Sequence, residues 1–435
     1  MISKGLTEYS DSVKDLCVKN DTISDILFKE YGVNRGLRDE NGKGVLTGLT
    51  KISKIVPNTE SGGQLWYRGY TIDEIINIAG KNNFGFENAA YLLLFGKMPG
   101  KKELHDFSVK ISECRKLPQN FTRDIIMKAA SEDVMNSMTR SILALASYDK
   151  NIKSKELSDI ISQCIYLISV FPMLAVYSYH AYNHYNNGAS MFIHNPKKDL
   201  SATENLLHML RADNKYTELE AKVLEIALIL HMEHGGGNNS TFTARVVTSS
   251  GSDTYSTIAA AMSSLKGPRH GGANIKVVEM MKNIKDNISD IKDDDAIKDY
   301  LSKILNKQAF DKQGLIYGMG HAVYSVSDPR EKILKSYASK LAAEKNMNDE
   351  LELYVKVEAL APIVIANERR IYKGVSPNVD FYSGFVYKML GIPDELYTPL
   401  FATARIVGWC AHRLEEIIGA GKIIRPAYMS VMDEK

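Results

Sequence analysis

HMEHGGGNNSTFTARVVTSSGSDTYSTIAAAMSSLKGPRHGGAN, residues 231–274, opens with two histidines at the end of an apolar helical pattern. It closes on a third, His270, set among Gly267, Pro268, Gly271 and Gly272. Just before it, Thr217 and Glu220 have the S/T-x-x-E spacing of a capping box. Leu219, Val223, Ala227, Leu230 and His234 then fall on one stripe at helical spacing. That spacing predicts a buried helix carrying His234 on its last turn. Gly235, Gly236 and Gly237 end the helix and leave the backbone free to approach a ligand.

Two more glycine-containing loops lie downstream. GMGHAVYSVSDPR (Gly318 to Arg330) presents His321, and PNVDFYSG (Pro377 to Gly384) presents Asp380. In the first, Asp328 and Pro329 read as an acidic N-cap with proline at the first helical position, which places Arg330 in a first turn. In the second, Asp380 lies between Val379 and Phe381, apolar neighbours that raise a carboxyl pKa. Gly271 and Gly272 lead into a helix through Val277, Val278 and Met281. A helix N-terminus disfavours protonation, so His270 is expected to be a neutral imidazole.

The rest of the chain is helical in pattern. Residues 1–40 read as a polar helical arm, and the one convincing strand signal, between Gly44 and Tyr70, reads as a small β-hairpin. FENAAYLLLF (Phe86 to Phe95) and NPKKDLSATENLLHMLR (Asn195 to Arg211) read as helices, as does Leu351 to Arg370, where Pro362 bends the pattern. Met280 to Leu305 reads as a solvated helix–loop–helix. Cys164 to Asn183 carries no charge over a near-membrane length, but its Pro172, Ser169, His180 and four tyrosines point to a buried core helix. No linker or repeat marks a domain boundary.

Composition excludes several classes. A net charge of +2 over 435 residues gives no global attraction to nucleic acid or membrane, so an anionic ligand must be held by local arginines and lysines. Four scattered cysteines without a CxxC pair make neither a disulfide framework nor a zinc site, and His231/His234 alone is a weak metal pair, so no metal is expected. The first twenty residues lack an apolar signal core, which leads to the expectation of a cytoplasmic protein.

The three loops together resemble the citrate synthase family. The likeness extends from about Gly44 onward through YRGY, FENAAYLLLFG, NPKKDLS and LFATARIVGW. It implies an all-α fold with a minor N-terminal β-hairpin. A large helical domain, 1–273 with 385–435, would carry the dimer contact and part of the oxaloacetate site. A smaller domain, 274–384, would close over the substrates and bind coenzyme A. The implied reaction is condensation of acetyl-CoA with oxaloacetate, through an enolate and citryl-CoA, to citrate. No prosthetic group is implied, and the coenzyme A thioester is a substrate. A thioester methyl is so weak an acid that a carboxylate can deprotonate it only if a donor stabilises the enolate oxygen at the same moment.

On that resemblance Asp380 is the base, His270 the donor to the enolate oxygen, and His321 the donor to the ketone. His234, Arg330, Arg405 and Arg425 would bind the dicarboxylate, with arginine favoured for its bidentate geometry. Arg425 would reach the neighbouring subunit of a homodimer. Coenzyme A would lie against Gly318, Met319 and Gly320. Ser325 stands where the family often has a basic residue, so Arg269, Lys332, Lys335 and Lys373 become the candidates for its phosphates. The alternative activity is 2-methylcitrate synthesis from propionyl-CoA, because one methylene in an apolar pocket discriminates by only about 1–3 kcal/mol. A citryl-CoA lyase lacks support from any appended nucleotide-grasp domain. A silent binding paralogue would have no need of Asp380.

Overall fold

The helical spacing that dominates the sequence produces seventeen α-helices among the described residues. The computed structural model describes residues 4–39, 44–59, 62–320, 324, 327–369, 375–419 and 421–432. The chain forms two units, Met1–Leu49 and Thr50–Lys435. In the first, the expected polar arm forms α1 (Lys4–Asp21) and α2 (Asp25–Glu30). Arg35 folds back on α2, its Nη1 lying 2.9 Å from Asp25 and its guanidinium 4.6 Å over the Phe28 ring.

The second unit begins with the sheet. β1 (Ser53–Thr59) pairs antiparallel with β2 (Gly62–Tyr67), starting at Ser53↔Tyr67. The register shifts between Val56 and Thr59, around Pro57, which has no N–H to give the ladder. Pairing therefore starts at Ser53, well inside the stretch that the sequence assigned to the hairpin. A third strand, β3 (Tyr70–Thr71), was not expected. Arg68 and Gly69, at φ 48° and 93°, turn β2 back onto it, with Tyr67 opposite Tyr70.

Helices follow in order: α3 (Ile72–Ala79), α4 (Gly85–Phe95), α5 (Lys101–Cys114), α6 (Val134–Ala146) and α7 (Leu157–Asn187). Next come α8 (Ala202–Leu210), α9 (Glu218–His231), α10 (Asn239–Ser249), α11 (Thr254–Lys266) and α12 (Ala273–Asn287). Then come α13 (Asp294–Leu305), α14 (Pro329–Glu344), α15 (Asn348–Arg369), α16 (Val379–Met389) and α17 (Tyr397–Ile418). Capping boxes start α8, through Ser201 and Glu204, and α9, through Thr217 and Glu220. Each satisfies backbone N–H groups that a helix start leaves without partners.

α7 is long and apolar enough to cross a membrane, yet 78% of its most apolar window is buried inside the protein. It packs on α17, which in turn touches α4, α9, α10 and α11. α17 is buried around most of its circumference, as a central helix must be. One of its buried polar residues is fully engaged. The Arg413 guanidinium donates to the hydroxyls of Thr248, Thr254 and Thr257 and to the Ser252 carbonyl. α12 to α16 pack on one another. The 280–305 stretch is less solvated than expected, burying Met280, Met281, Ile284, Ile297, Leu301 and Ile304.

Where α17 crosses the end of α9, Gly408 permits contact. A Cβ there would lie 2.5 Å from both the Met232 carbonyl oxygen and Glu233 Oε2. Gly→Ala inside a helix normally stabilises by roughly 0.5–1 kcal/mol. Gly408→Ala should instead destabilise by about 1–3 kcal/mol through overpacking. A urea-unfolding midpoint equal to or above that of the native chain would contradict this contact.

Candidate active site

α9 delivers the first histidine loop, though not as the stripe predicted. The helix ends at His231, with Met232 as its cap residue, so His234 stands beyond the last turn rather than on it. Gly235, at φ 85°, turns the chain away at once. The turn, not the helical stripe, buries the His234 ring, which meets Tyr324 edge to face at 5.6 Å. His231 belongs to the interior. Its Nδ1 is 2.7 Å from the Ala227 carbonyl, and burial pushes its pKa down to about 3. Its own carbonyl oxygen accepts the Arg405 Nε–H at 2.7 Å.

His270 sits just before α12, with Gly272 as the N-cap residue. Two groups of Ser240 face its Nε2, the backbone N–H at 3.4 Å and Oγ at 3.1 Å. Ser240 Oγ also accepts the Trp409 Nε1–H at 3.1 Å. A backbone N–H can only donate, so Nε2 accepts and the ring proton sits on Nδ1. Burial, and then the positive charge of Arg405, lower the His270 pKa to about 4. The ring is neutral at physiological pH and keeps an N–H to offer.

The loops of His321 and Asp380 are joined. Gly320 N–H donates to the Ser376 carbonyl at 2.8 Å, and Asn378 N–H to the Gly318 carbonyl at 2.9 Å. Asn378 Nδ2 donates to the Gly320 carbonyl at 2.9 Å, while its Oδ1 caps α16 by accepting the Asp380 N–H at 2.9 Å. Gly318 is at φ 76°, and a Cβ there would lie 2.8 Å from Val277 Cγ2. His321, Ser325 and Lys373 lie outside the described residues. Asp380 is part-buried. Burial raises its pKa to about 6; Arg330 opposes the shift, Asp328 adds to it and Arg405 opposes it.

Arg330 and Arg405 are both buried, with different neighbours. Arg330 pairs bidentately with Asp328, Nε to Oδ1 at 3.0 Å and Nη2 to Oδ2 at 2.7 Å. Burial works against its charge, and the Asp328 pair more than restores it. Arg405 has no such partner. Its guanidinium lies 4.8 Å over the Phe401 ring, and Nη1 is buried without a hydrogen-bond partner among the described residues. Burial lowers its pKa to about 10, with Glu233 and Tyr67 acting to hold the charge. A buried donor left unmatched in this way suits an arriving oxyanion.

The remaining candidates are not gathered here. Arg425 is exposed on the segment 421–432, which is anchored to α10 through Ile424 N–H and Ser249 Oγ at 3.0 Å. Arg269 and Lys332 are exposed, and Lys335 is paired with Glu358 at 2.7 Å. Glu233, Ser240, Trp409 and His412, all part of the buried surroundings, were missed. For Glu233 a signal existed: a carboxylate between two histidines at the end of an apolar helix.

A helical fold that sets a neutral imidazole, a carboxyl with a raised pKa and buried guanidinium groups around one site has the groups that acid–base chemistry on an anionic ligand requires. Residues 37–427 match the family model described as citrate synthase, C-terminal domain. Citrate synthase of Synechocystis is 34% identical over 374 residues, covering 85% of this chain and 86% of its own. 2-Methylcitrate synthase of Shewanella oneidensis is 32% identical over 395 residues, covering 90% of this chain and 95% of its own. The crystal structure of citrate synthase from Thermotoga maritima superposes with a TM-score of 0.72 at 31% identity, covering 93% of this chain and 97% of its own. Citrate synthase from Thermoplasma acidophilum, solved as a ternary complex with carboxymethyl coenzyme A and oxaloacetate, superposes with a TM-score of 0.76 at 28% identity, with the same coverage. The chain belongs to the citrate synthase family.

The contacts of His270 fix a measurable protonation state. Its imidazole nitrogens, followed by NMR on 15N-histidine-labelled protein, should report a neutral Nδ1–H ring from pH 5.5 upward, since the folded pKa is about 4. Because that pKa is lowered, the unfolded chain binds the extra proton first, so this histidine costs stability as pH falls below about 6.5. A His270 titration midpoint near its ordinary value would contradict the arrangement.

Proposed function

We propose that the chain condenses acetyl-CoA with oxaloacetate and water to give citrate and coenzyme A. The observation that carries this reading is the buried Arg405 guanidinium, its Nη1 without a partner among the described residues, with its charge felt both at His270, whose Nε2 is engaged by Ser240, and at Asp380 in the first turn of α16. Ionised Asp380 takes a proton from the thioester methyl while His270 Nδ1–H, keeping its proton, hydrogen-bonds the thioester oxygen as negative charge gathers there, which yields the enolate. The enolate carbon attacks the oxaloacetate ketone, which restores the thioester carbonyl, and His321 supplies the proton that the ketone oxygen takes up. Water then adds to the thioester carbonyl of citryl-CoA, the C–S bond breaks, the proton held by Asp380 goes to the leaving thiolate, and a proton of the water replaces the one His321 gave. His234, Arg330 and Arg405 hold the dicarboxylate, Arg405 through its unmatched Nη1.

Coenzyme A lies along Gly318, Met319 and Gly320. Arg269, Lys332 and Lys373 meet its phosphates, and Lys335 joins them by releasing Glu358. The segment 274–384 acts as a smaller domain that closes on the remainder once the dicarboxylate is bound. The protein works in the cytoplasm. A second reading, propionyl-CoA as the acyl donor, is supported by the likeness to a 2-methylcitrate synthase.

Steady-state kcat/KM for acetyl-CoA and propionyl-CoA, measured side by side, tests both readings. Acetyl-CoA should be the better substrate, and the reverse order would give the chain to the second reading. For either donor, Asp380→Asn should lose about 10²–10⁴-fold in rate with oxaloacetate binding kept. Since the Asp380 pKa is raised to about 6 and its base form is the active one, wild-type activity should fall as pH drops through that value. Activity within a few-fold of wild type in folded Asp380→Asn would remove the base assignment.

The assembly proposal is a homodimer in which Arg425 serves the partner's site, supported by the exposure of Arg425 on the C-terminal segment. Asp380→Ala and Arg425→Ala chains, each inactive alone, should regain activity when purified as a mixed dimer, because one site then keeps both residues. An inactive mixed dimer would show that Arg425 does not act across the interface.

A further inference from the structure

Glu233 is among the most buried carboxylates of the chain, and the reaction as derived does not use it. An ionised group removed from water costs several kcal/mol unless it is well matched. Three donors converge on one of its oxygens, Oε1: His412 Nε2 at 2.9 Å, Ser53 Oγ at 2.9 Å and the Gly235 N–H at 2.6 Å. The Arg245 Nη1–H faces His412 Nδ1 at 3.0 Å and can only donate, so His412 gives its Nε2 proton to Glu233. Arg245 is held in turn by Glu415 at 2.8 Å and Glu416 at 2.9 Å. The backbone of Glu233 is clamped as well. The Tyr67 hydroxyl accepts its N–H at 3.3 Å and lies 3.0 Å from its carbonyl oxygen.

These bonds meet where the substrate groups originate. Two residues before Glu233, the His231 carbonyl aims Arg405, and the next residue after it is His234. β1, the histidine loop and α17 thus have one buried carboxylate in common. We propose that Glu233 is a positioning residue for the dicarboxylate site. It fixes the 231–235 segment so that His234 and Arg405 face the substrate, and its negative charge supports the buried Arg405 cation. Burial opposes its ionisation, but the His412 and Ser53 donors on Oε1 and the positive charge of Arg405 work against it and hold the carboxyl below the usual carboxylate range. The inference rests on the proposed oxaloacetate site.

Calorimetric titration of oxaloacetate into wild type, Glu233→Gln and Glu233→Asp tests it, with the thermal transition of each recorded and KM for acetyl-CoA measured at saturating oxaloacetate. Glu233→Gln keeps the shape and removes the charge. It should weaken oxaloacetate binding roughly 10- to 100-fold, with the KM for acetyl-CoA within about 3-fold of wild type, and Glu233→Asp should recover part of the loss. A general loosening of the fold would move both substrates together. Ser53→Ala, which removes one donor at the edge of the sheet, guards against a Glu233 variant that does not fold, and should weaken oxaloacetate several-fold. Unchanged oxaloacetate affinity in the folded variants, or equal losses for both substrates, would overturn the positioning role alone. A wild-type chain that binds no dicarboxylate would overturn the oxaloacetate reading and this inference with it.

Discussion

A guanidinium buried without its full set of acceptors is the constraint around which this site is built. Arg405 is fixed through Nε by the His231 carbonyl and lies over the Phe401 ring, while Nη1 has no partner among the described residues. Such a group is stable only when the surrounding fold fixes it from several sides and counter-charge lies near. Glu233 supplies that counter-charge, whereas Arg330 is matched bidentately by Asp328. A buried donor left unmatched costs free energy that a hydrogen-bonding oxyanion would recover.

Burial acts on every ionisable group near Arg405, yet the outcomes diverge because the neighbours differ. At Asp380 desolvation dominates, the two arginines only partly offset it, and the carboxyl ends near neutrality. At Glu233 the His412 and Ser53 donors and the charge of Arg405 oppose desolvation and keep the carboxyl below its usual range. His270 loses its proton to burial and to the field of Arg405. One desolvated environment therefore holds a titratable base, a permanent anion and a neutral donor, which is the separation of roles that acid–base chemistry needs.

The loops that carry these groups are held by backbone bonding rather than by hydrophobic packing alone. The exchange between Gly318–Gly320 and Ser376–Asn378 makes the Asp380 helix start and the segment leading to His321 one unit. At the other loop, Ser240 links His270 to Trp409 in α17. Displacing any one of these elements would move more than one of the candidate side chains, so the geometry is set cooperatively.

Local patterns in the sequence were enough to determine the helical class, the capping box at Thr217, the Asp328–Pro329 helix start and the three glycine-containing loops. Each of these depends on residues within one or two turns of each other. Family resemblance added the candidate side chains. Other features are decided by contacts between residues far apart in the chain, and no local pattern reports them. His234 was read onto the α9 stripe, but the helix ends at His231 and a turn buries the ring instead. β3 depends on the Arg68–Gly69 turn, and its two residues are too few to give a periodic signal. The tautomer of His270 is set by Ser240, thirty residues away, and the charge of Glu233 by His412 and Ser53, each about 180 residues away. A side chain's type and spacing were legible in the sequence; its protonation and its partner were settled only when folding removed water and brought distant donors within hydrogen-bond reach.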